Sequence, residues 1–338
     1  MAVVMRSTII DIKNRTGLSL ATISKYLNGG KVRPENKVKI DEAVKALNYQ
    51  VNENARSLVT NRTHTIGVVV FDIENNFCGS LMRHLGDYFR RYGYGVLICT
   101  SNNDEELQKT NIRSMLQKNV DGVILLPVSE NAEAIEPMKE AGKPVVTLDR
   151  MLKGAACDSV TINNQQAAYE LTSMLLRMGH RRIGYVGSKT EYTGEQRWKG
   201  FHQAMRNAGL LTLPEYEAIG LFSLENGYNG MKKLLDLRIP PTAVLTGNYE
   251  ATLGVVMAIQ ESSYSYPDDI SIVGFDKTML SEVMVPRITV AEQPIREMAD
   301  AAGELLIKRI EEKTESPFQN RELQARILEM ESVRKLTR

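Results

Sequence analysis

The sequence predicts a small all-α head built on a helix-turn-helix, followed by a two-lobed α/β body with parallel, doubly wound sheets. Three observations predict it. Two short helical patterns flank Gly17 near the N-terminus. From Thr65 onward, apolar β-branched runs alternate with helical patterns, and the rhythm restarts near Val160. Charge is unevenly divided: residues 1–62 hold eleven Lys/Arg against five Asp/Glu, a net of +6, in a chain whose net is +1, so residues 63–338 carry −5. A basic head on an acidic body points to nucleic acid at the basic end.

In the head, Ile9 and Ile12 give the first helix an apolar stripe. Gly17 takes the turn, where a positive φ is cheap without a Cβ. Ser19 suits the N-cap of the second helix, along which Ile23, Tyr26 and Leu27 recur at helical spacing. Two short helices around such a turn place the second in the DNA major groove. A third helix is expected from Pro34 to Leu47, with Val38, Ala43, Val44 and Leu47 on its apolar face. Asn52 to Leu58 is polar and too short to hold a helix alone.

In the body, strands are expected at 66–71, 96–99, 123–126, 144–148, 160–162, 182–186, 218–219, 243–246 and 270–273. Helical patterns separate them, the last running from Ile295 to Glu311. Continuous apolar strands mean a parallel sheet covered on both faces. Two lobes of about 130 residues fit domain-size expectations. Their strand C-termini surround one cleft, where ligands bind in such folds.

Other classes lack their signatures. No apolar run reaches the ~18 residues that span a bilayer, and Met1 to Ile10 has no apolar block of signal-peptide length, so the cytoplasm is expected. Cys78, Cys99 and Cys157 form no CxxC pair, and Cys99 sits in a strand pattern as a buried apolar residue. His64, His84, His180 and His202 share no ligand spacing, and His180 is placed to end a helix beside Gly179. No GxSxG, HExxH, GxxxxGK[ST] or GxGxxG pattern occurs. No catalytic residue, metal or cofactor is therefore expected.

The pieces Thr8-Ile9-x-Asp11-Ile12, Gly17-Leu18-Ser19, Thr22-Ile23-Ser24-Lys25, Leu27-Asn28-Gly29, Leu47-x-Tyr49 and Asn52-x-x-Ala55-Arg56-Ser57-Leu58 together resemble the head and hinge of the LacI/GalR family of bacterial transcription regulators. Gly179-His180-Arg181-Arg182-Ile183-Gly184, Arg197-x-x-Gly200-Phe201, Pro241-Thr242-Ala243-Val244, Pro267 through Asp276 and Gln293-Pro294 resemble that family's periplasmic-binding-protein-like effector domain. The resemblance implies a helix-turn-helix domain at 1–51, a hinge helix or linker at 52–62, and an effector-binding and dimerisation domain at 63–338. Within the last, lobe 1 takes about 63–161 plus 291–322 and lobe 2 about 162–290 plus 323–338, with crossings near 161, 290 and 322.

The same resemblance implies site residues. Leu20, Ala21 and Lys25 take base-reading positions; the two apolar residues suit thymine methyls and the lysine suits guanine. Ser19, Thr22, Ser24 and Asn28 position the backbone. Asn52, Ala55 and Leu58 belong to the hinge, Leu58 as a minor-groove wedge. Glu53 is an acid beside DNA that the resemblance does not explain. Around the cleft, Asp149, Arg197, Phe222, Asn248 and Asp276 follow strand ends or open helices, with Asp72 and Phe77 on the first lobe. Carboxylates suit vicinal hydroxyls, a cation suits ring oxygens and an aromatic face suits sugar C–H surface.

Two departures stand out. Tyr249 follows Asn248 where an acid is common, and Lys277 follows Asp276 where a second acid is frequent. A lysine beside the cleft favours a sugar acid or sugar phosphate over a neutral sugar. The expectation is a homodimeric repressor of carbohydrate genes that binds double-stranded operator DNA and a small sugar-type effector, with no membrane association. No leucine heptads follow for a zipper tetramer. The alternatives are a global regulator with a phosphorylated protein co-effector, a transporter-type sugar-binding protein, or a sugar-processing enzyme.

Overall fold

A computed structural model describes residues 7–27, 29–49, 62–312 and 316–336. The chain divides into two units, Met1–Thr63 and His64–Arg338, and each is taken by itself.

The head contains α1 (Ile9–Thr16), α2 (Leu20–Leu27) and α3 (Pro34–Ala46). Thr8 donates its backbone N–H and its hydroxyl to the Asp11 carboxylate, both at 2.8 Å. These bonds satisfy a free end of α1 and hold the Asp11 carboxyl below its usual range. Gly17, at φ +70°, ends α1 and donates to the Lys13 carbonyl at 2.8 Å. Ser19 Oγ accepts the Thr22 N–H at 3.2 Å and so caps α2. Ile12, Ile23, Ile40 and Ala43 form the core. Val38 does not join it and is 55% exposed. The buried stripe of α3 runs Ile40, Ala43, Val44, Leu47, and Val38 lies two residues, about 200°, around the helix from Ile40. The Tyr26 hydroxyl donates to Asp41 at 2.6 Å and ties α2 to α3.

The first lobe alternates β1 (Thr65–Val70), α4 (Asn76–Arg91), β2 (Gly95–Thr100), α5 (Glu105–Gln117), β3 (Gly122–Leu125), α6 (Glu136–Glu140), β4 (Val145–Leu148) and β5 (Asp158–Ile162). The second repeats the scheme with α7 (Asn164–Arg177), β6 (Ile183–Gly187), α8 (Tyr192–Asn207), β7 (Glu217–Ile219), α9 (Leu224–Leu235), β8 (Ala243–Thr246), α10 (Tyr249–Gln260), β9 (Ser271–Phe275), α11 (Met279–Val283) and β10 (Thr289–Glu292). Then come α12 (Ile295–Glu312), β11 (Asn320–Leu323) and β12 (Arg326–Leu328). The sheet orders are β11-β5-β4-β3-β1-β2 and β12-β10-β9-β8-β6-β7. All pairings are parallel except β10 with β12. Both lobes thus follow the 2-1-3-4-5 order of doubly wound folds.

Apolar clusters cover both faces of each sheet. The chain leaves the first sheet after β5, returns between β10 and α12, and crosses again between β11 and β12. Those points are residues 163, 293–294 and 324–325, each slightly beyond the crossings near 161, 290 and 322. β11 and β12 had no sequence signal. They are short strands whose side chains stay half-exposed or exposed, so no apolar run marks them. His180 is buried between Thr242 Oγ1 (2.9 Å) and the Arg334 carbonyl (3.0 Å), while Gly179 at φ +96° makes the turn after α7. Cys99 is half-buried rather than buried.

α7 and α8 cross at Gly200, where a Cβ would lie 2.1 Å from the Gln165 carbonyl oxygen and 2.9 Å from Ala168 Cβ. Gly200→Ala is therefore expected to destabilise the body by about 3 kcal/mol, the upper end for overpacking. Urea unfolding checks this.

Candidate functional site

Strand order reverses between β1 and β3 in the first lobe and between β6 and β8 in the second. Ligands bind outside strand carboxyl ends at such switch points. Here both switch points open onto one cleft of about 970 Å³.

Asp149 ends β4 and Asp276 ends β9, the fourth strand of each lobe's repeat. Both take left-handed backbone, at φ +71° and +72°. Each donates its N–H to the neighbouring strand, Asp149 to Val160 at 2.9 Å and Asp276 to Ala291 at 3.0 Å. Aspartate tolerates this conformation better than most residues. The two lobes therefore present matched carboxylates to one space.

Arg197, buried on α8, stands near both. Its Nε donates to Asn164 Oδ1 at 2.8 Å and its Nη1 to the Gly247 carbonyl at 2.6 Å. Its guanidinium lies 3.9 Å from the Phe275 ring centroid. Burial lowers the Arg197 pKa, and the Asp276 and Asp149 charges oppose that fall. Burial likewise raises Asp149, against the pull of Arg150 and Arg197. Arg150 Nε is 3.5 Å from Asp149 Oδ2, its Nη1 donates to the Pro127 carbonyl at 3.2 Å, and its plane covers Phe71 at 4.3 Å.

The cleft brings together all seven residues expected around it: Asp72, Phe77, Asp149, Arg197, Phe222, Asn248 and Asp276. Their freedom differs. Phe222 packs over Gly247, where a Cβ would meet it at 2.5 Å. Asn248 spends Oδ1 on capping α10 (Ala251 N–H, 2.9 Å) and Nδ2 on Glu250 (3.3 Å). Asp72 accepts the Glu74 N–H at 2.9 Å. Phe77 is 7% exposed and belongs mainly to the first-lobe core. Asp276 accepts from Gln293 at 2.7 Å.

Lys277 lines the adjoining pocket, which shares Asn76, Phe77, Asp276 and Gln293 with the cleft, and its Nζ pairs with Glu282 at 2.9 Å and Glu292 at 3.8 Å. The cleft's own cations, Arg150, Lys153, Lys189 and Arg197, face seven carboxylates.

Sequence reasoning missed Arg150, Asn75, Glu191, Glu250 and Gln293. Arg150 had a signal in its place beside Asp149 at a strand end, and Gln293 in the Gln293-Pro294 piece of the resemblance. Among the described residues, Arg150 Nε, Glu191 Oε2 and Gln293 Oε1 are buried without a hydrogen bond and belong to cleft-lining side chains. On the head, Ser19, Leu20, Ala21 and Lys25 are exposed at α2, whereas Thr22 and Ser24 are half-buried. Thr22 Oγ1 shares a 2.9 Å bond with Ser19 Oγ. Asn28, Asn52, Ala55 and Leu58 lie outside the described residues. No described helix is long and apolar enough to cross a membrane.

Two doubly wound lobes around a polar cleft define a periplasmic-binding-protein-like body, and the profile of the periplasmic binding protein-like domain matches residues 172–333. The chain is 32% identical to the HTH-type transcriptional regulator RegA of Clostridium saccharobutylicum, over 97% of this chain and 99% of that one. It is 31% identical to the ribose operon repressor of Escherichia coli K12, over 91% and 94%. The lac repressor dimer bound to operator and an anti-inducer superposes with a TM-score of 0.86 at 22% identity, over 97% and 99%, a likeness of fold. The protein belongs to the LacI family of transcriptional regulators.

Proposed function

We propose that this regulator is a cytoplasmic, homodimeric repressor of carbohydrate genes, released from or driven onto its operator by a neutral sugar. The observation that carries the reading is the convergence of Asp149, Asp276 and Arg197 in one buried cleft between lobes. Paired carboxylate acceptors and a fixed guanidinium suit a polyhydroxylated ring, and Phe222 offers it an apolar face. The E. coli relative's name, ribose operon repressor, supports a sugar.

Two heads in a symmetric dimer read a pseudo-palindromic site. Leu20, Ala21 and Lys25 contact base edges, Ser19, Thr22, Ser24 and Asn28 hold the backbone, and Leu58 of each hinge wedges the minor groove. Effector and operator then change each other's affinity reciprocally. The reading contains no catalytic step.

The test is operator binding at fixed salt, on a palindromic site from the protein's own promoter region, across neutral sugars, sugar acids and sugar phosphates. A shift with one neutral sugar supports the reading, and its sign separates inducer from corepressor. A shift only with an anionic compound overturns the neutral-sugar assignment. Lys25→Ala is expected to cost about 1–3 kcal/mol of operator affinity and to relax specificity at one base pair. Fluorescence anisotropy on single-base operator variants checks this.

A further inference from the structure

The lobes touch directly through a polar circuit. Asn75 is the N-cap of α4, its Oδ1 accepting the Phe77 N–H at 3.0 Å and the Cys78 N–H at 3.4 Å. Its other end reaches the second lobe, where Nδ2 donates to Glu250 Oε1 at 3.3 Å. The next residue crosses as well: the Asn76 N–H, one of the free donors at the start of α4, donates to the Tyr249 hydroxyl at 3.2 Å. That hydroxyl donates in turn to Glu250 Oε1 at 3.2 Å, and Asn248 Nδ2 donates to Glu250 Oε2 at 3.3 Å. Asn75 and Tyr249 are each 8% exposed, Glu250 is half-buried and Asn76 is exposed, so the circuit sits at the rim of the cleft and its bonds are partly shielded from water. Two helix N-termini, of α4 and α10, are thereby joined across the cleft.

We infer that Asn75, Asn76, Tyr249 and Glu250 form a clasp that holds the cleft closed without a ligand and so sets the open–closed balance of the body. A ligand that binds closed lobes has an apparent affinity scaled by the fraction already closed. The clasp is therefore a positioning device for the effector site. Its regulatory meaning rests on the proposed effector role of the cleft; its existence does not, and the test uses no effector.

The test compares full-length parent, Tyr249→Phe and Glu250→Ala, without sugar, by small-angle X-ray scattering and by hydrogen exchange at the Asn76 amide. Tyr249→Phe keeps the ring and removes the acceptor of the Asn76 N–H. Both variants are expected to show a larger radius of gyration. Exchange at Asn76 is expected to rise about three- to tenfold, the worth of one hydrogen bond. Glu250→Gln keeps the Oε1 acceptor and is expected to stay at the parental radius. If Tyr249→Phe fails to fold, Glu250→Ala alone decides. A parental radius in the folded variants overturns the clasp, whatever the exchange rates.

Discussion

Arg197→Met is expected to weaken effector binding by about 2–5 kcal/mol, roughly thirtyfold or more, with the ligand-free body still folded. Arg197 is 3% exposed, its guanidinium is fixed by Asn164 and the Gly247 carbonyl, and its charge opposes the rise of the Asp149 pKa. Methionine fills much of the volume over Phe275 but leaves Asp149 and Asp276 with less positive charge. The Asp149 carboxyl, already above its usual value of 3.8, then rises further. The sign of the pH effect follows. A carboxylate that accepts sugar hydroxyls binds best when ionised, so affinity falls as pH drops toward the raised Asp149 value. That fall begins at higher pH in Arg197→Met than in the parent. Arg197→Lys keeps a charge without the planar fork and should lie between the two. Calorimetry with the sugar that shifts operator affinity, taken from about pH 8 down to about pH 4, where ordinary carboxylates titrate, reads both effects. Unchanged affinity in Arg197→Met would place the effector elsewhere.

What the sequence disclosed depended on how local the physics was. Strands covered on both faces, such as β1 and β3, write themselves as unbroken apolar runs. The half-exposed β11 and β12 write nothing. Asp149 and Asp276 were legible because each directly follows a strand end, where this topology puts ligands. Arg150 shared only the position beside Asp149, while its contacts with the Phe71 ring and the Pro127 carbonyl come from folding alone. The clasp was equally hidden, with Asn76 and Tyr249 separated by 173 residues. The pairing of Lys277 with Glu282 and Glu292 was hidden in the same way, since neither carboxylate adjoins it in the sequence.

Ile23→Ala is expected to unfold much of the head population while leaving sugar binding unchanged. Ile23 is fully buried, and among the described residues its buried partners in that core are Ile12, Ile40 and Ala43. Truncating such a side chain costs about 2–5 kcal/mol through lost transfer energy and the cavity left behind. A domain of this size buries a smaller fraction of its surface than a larger one, about 60%, and holds little stability in reserve. Operator affinity should then fall in proportion to the folded fraction of heads. The body has separate apolar clusters on each sheet face and forms its own unit, so its ligand affinity should not move. Val38→Ala is the matched control: it removes two methyl carbons from the same three-helix head at a position 55% exposed, and should cost no more than about 0.5 kcal/mol. Operator anisotropy, sugar calorimetry and two-probe thermal unfolding on both variants give the comparison. A parallel loss of sugar affinity in Ile23→Ala would mean that the head core also supports the body. An equal loss in Val38→Ala would mean that α3 buries a different face from the one described.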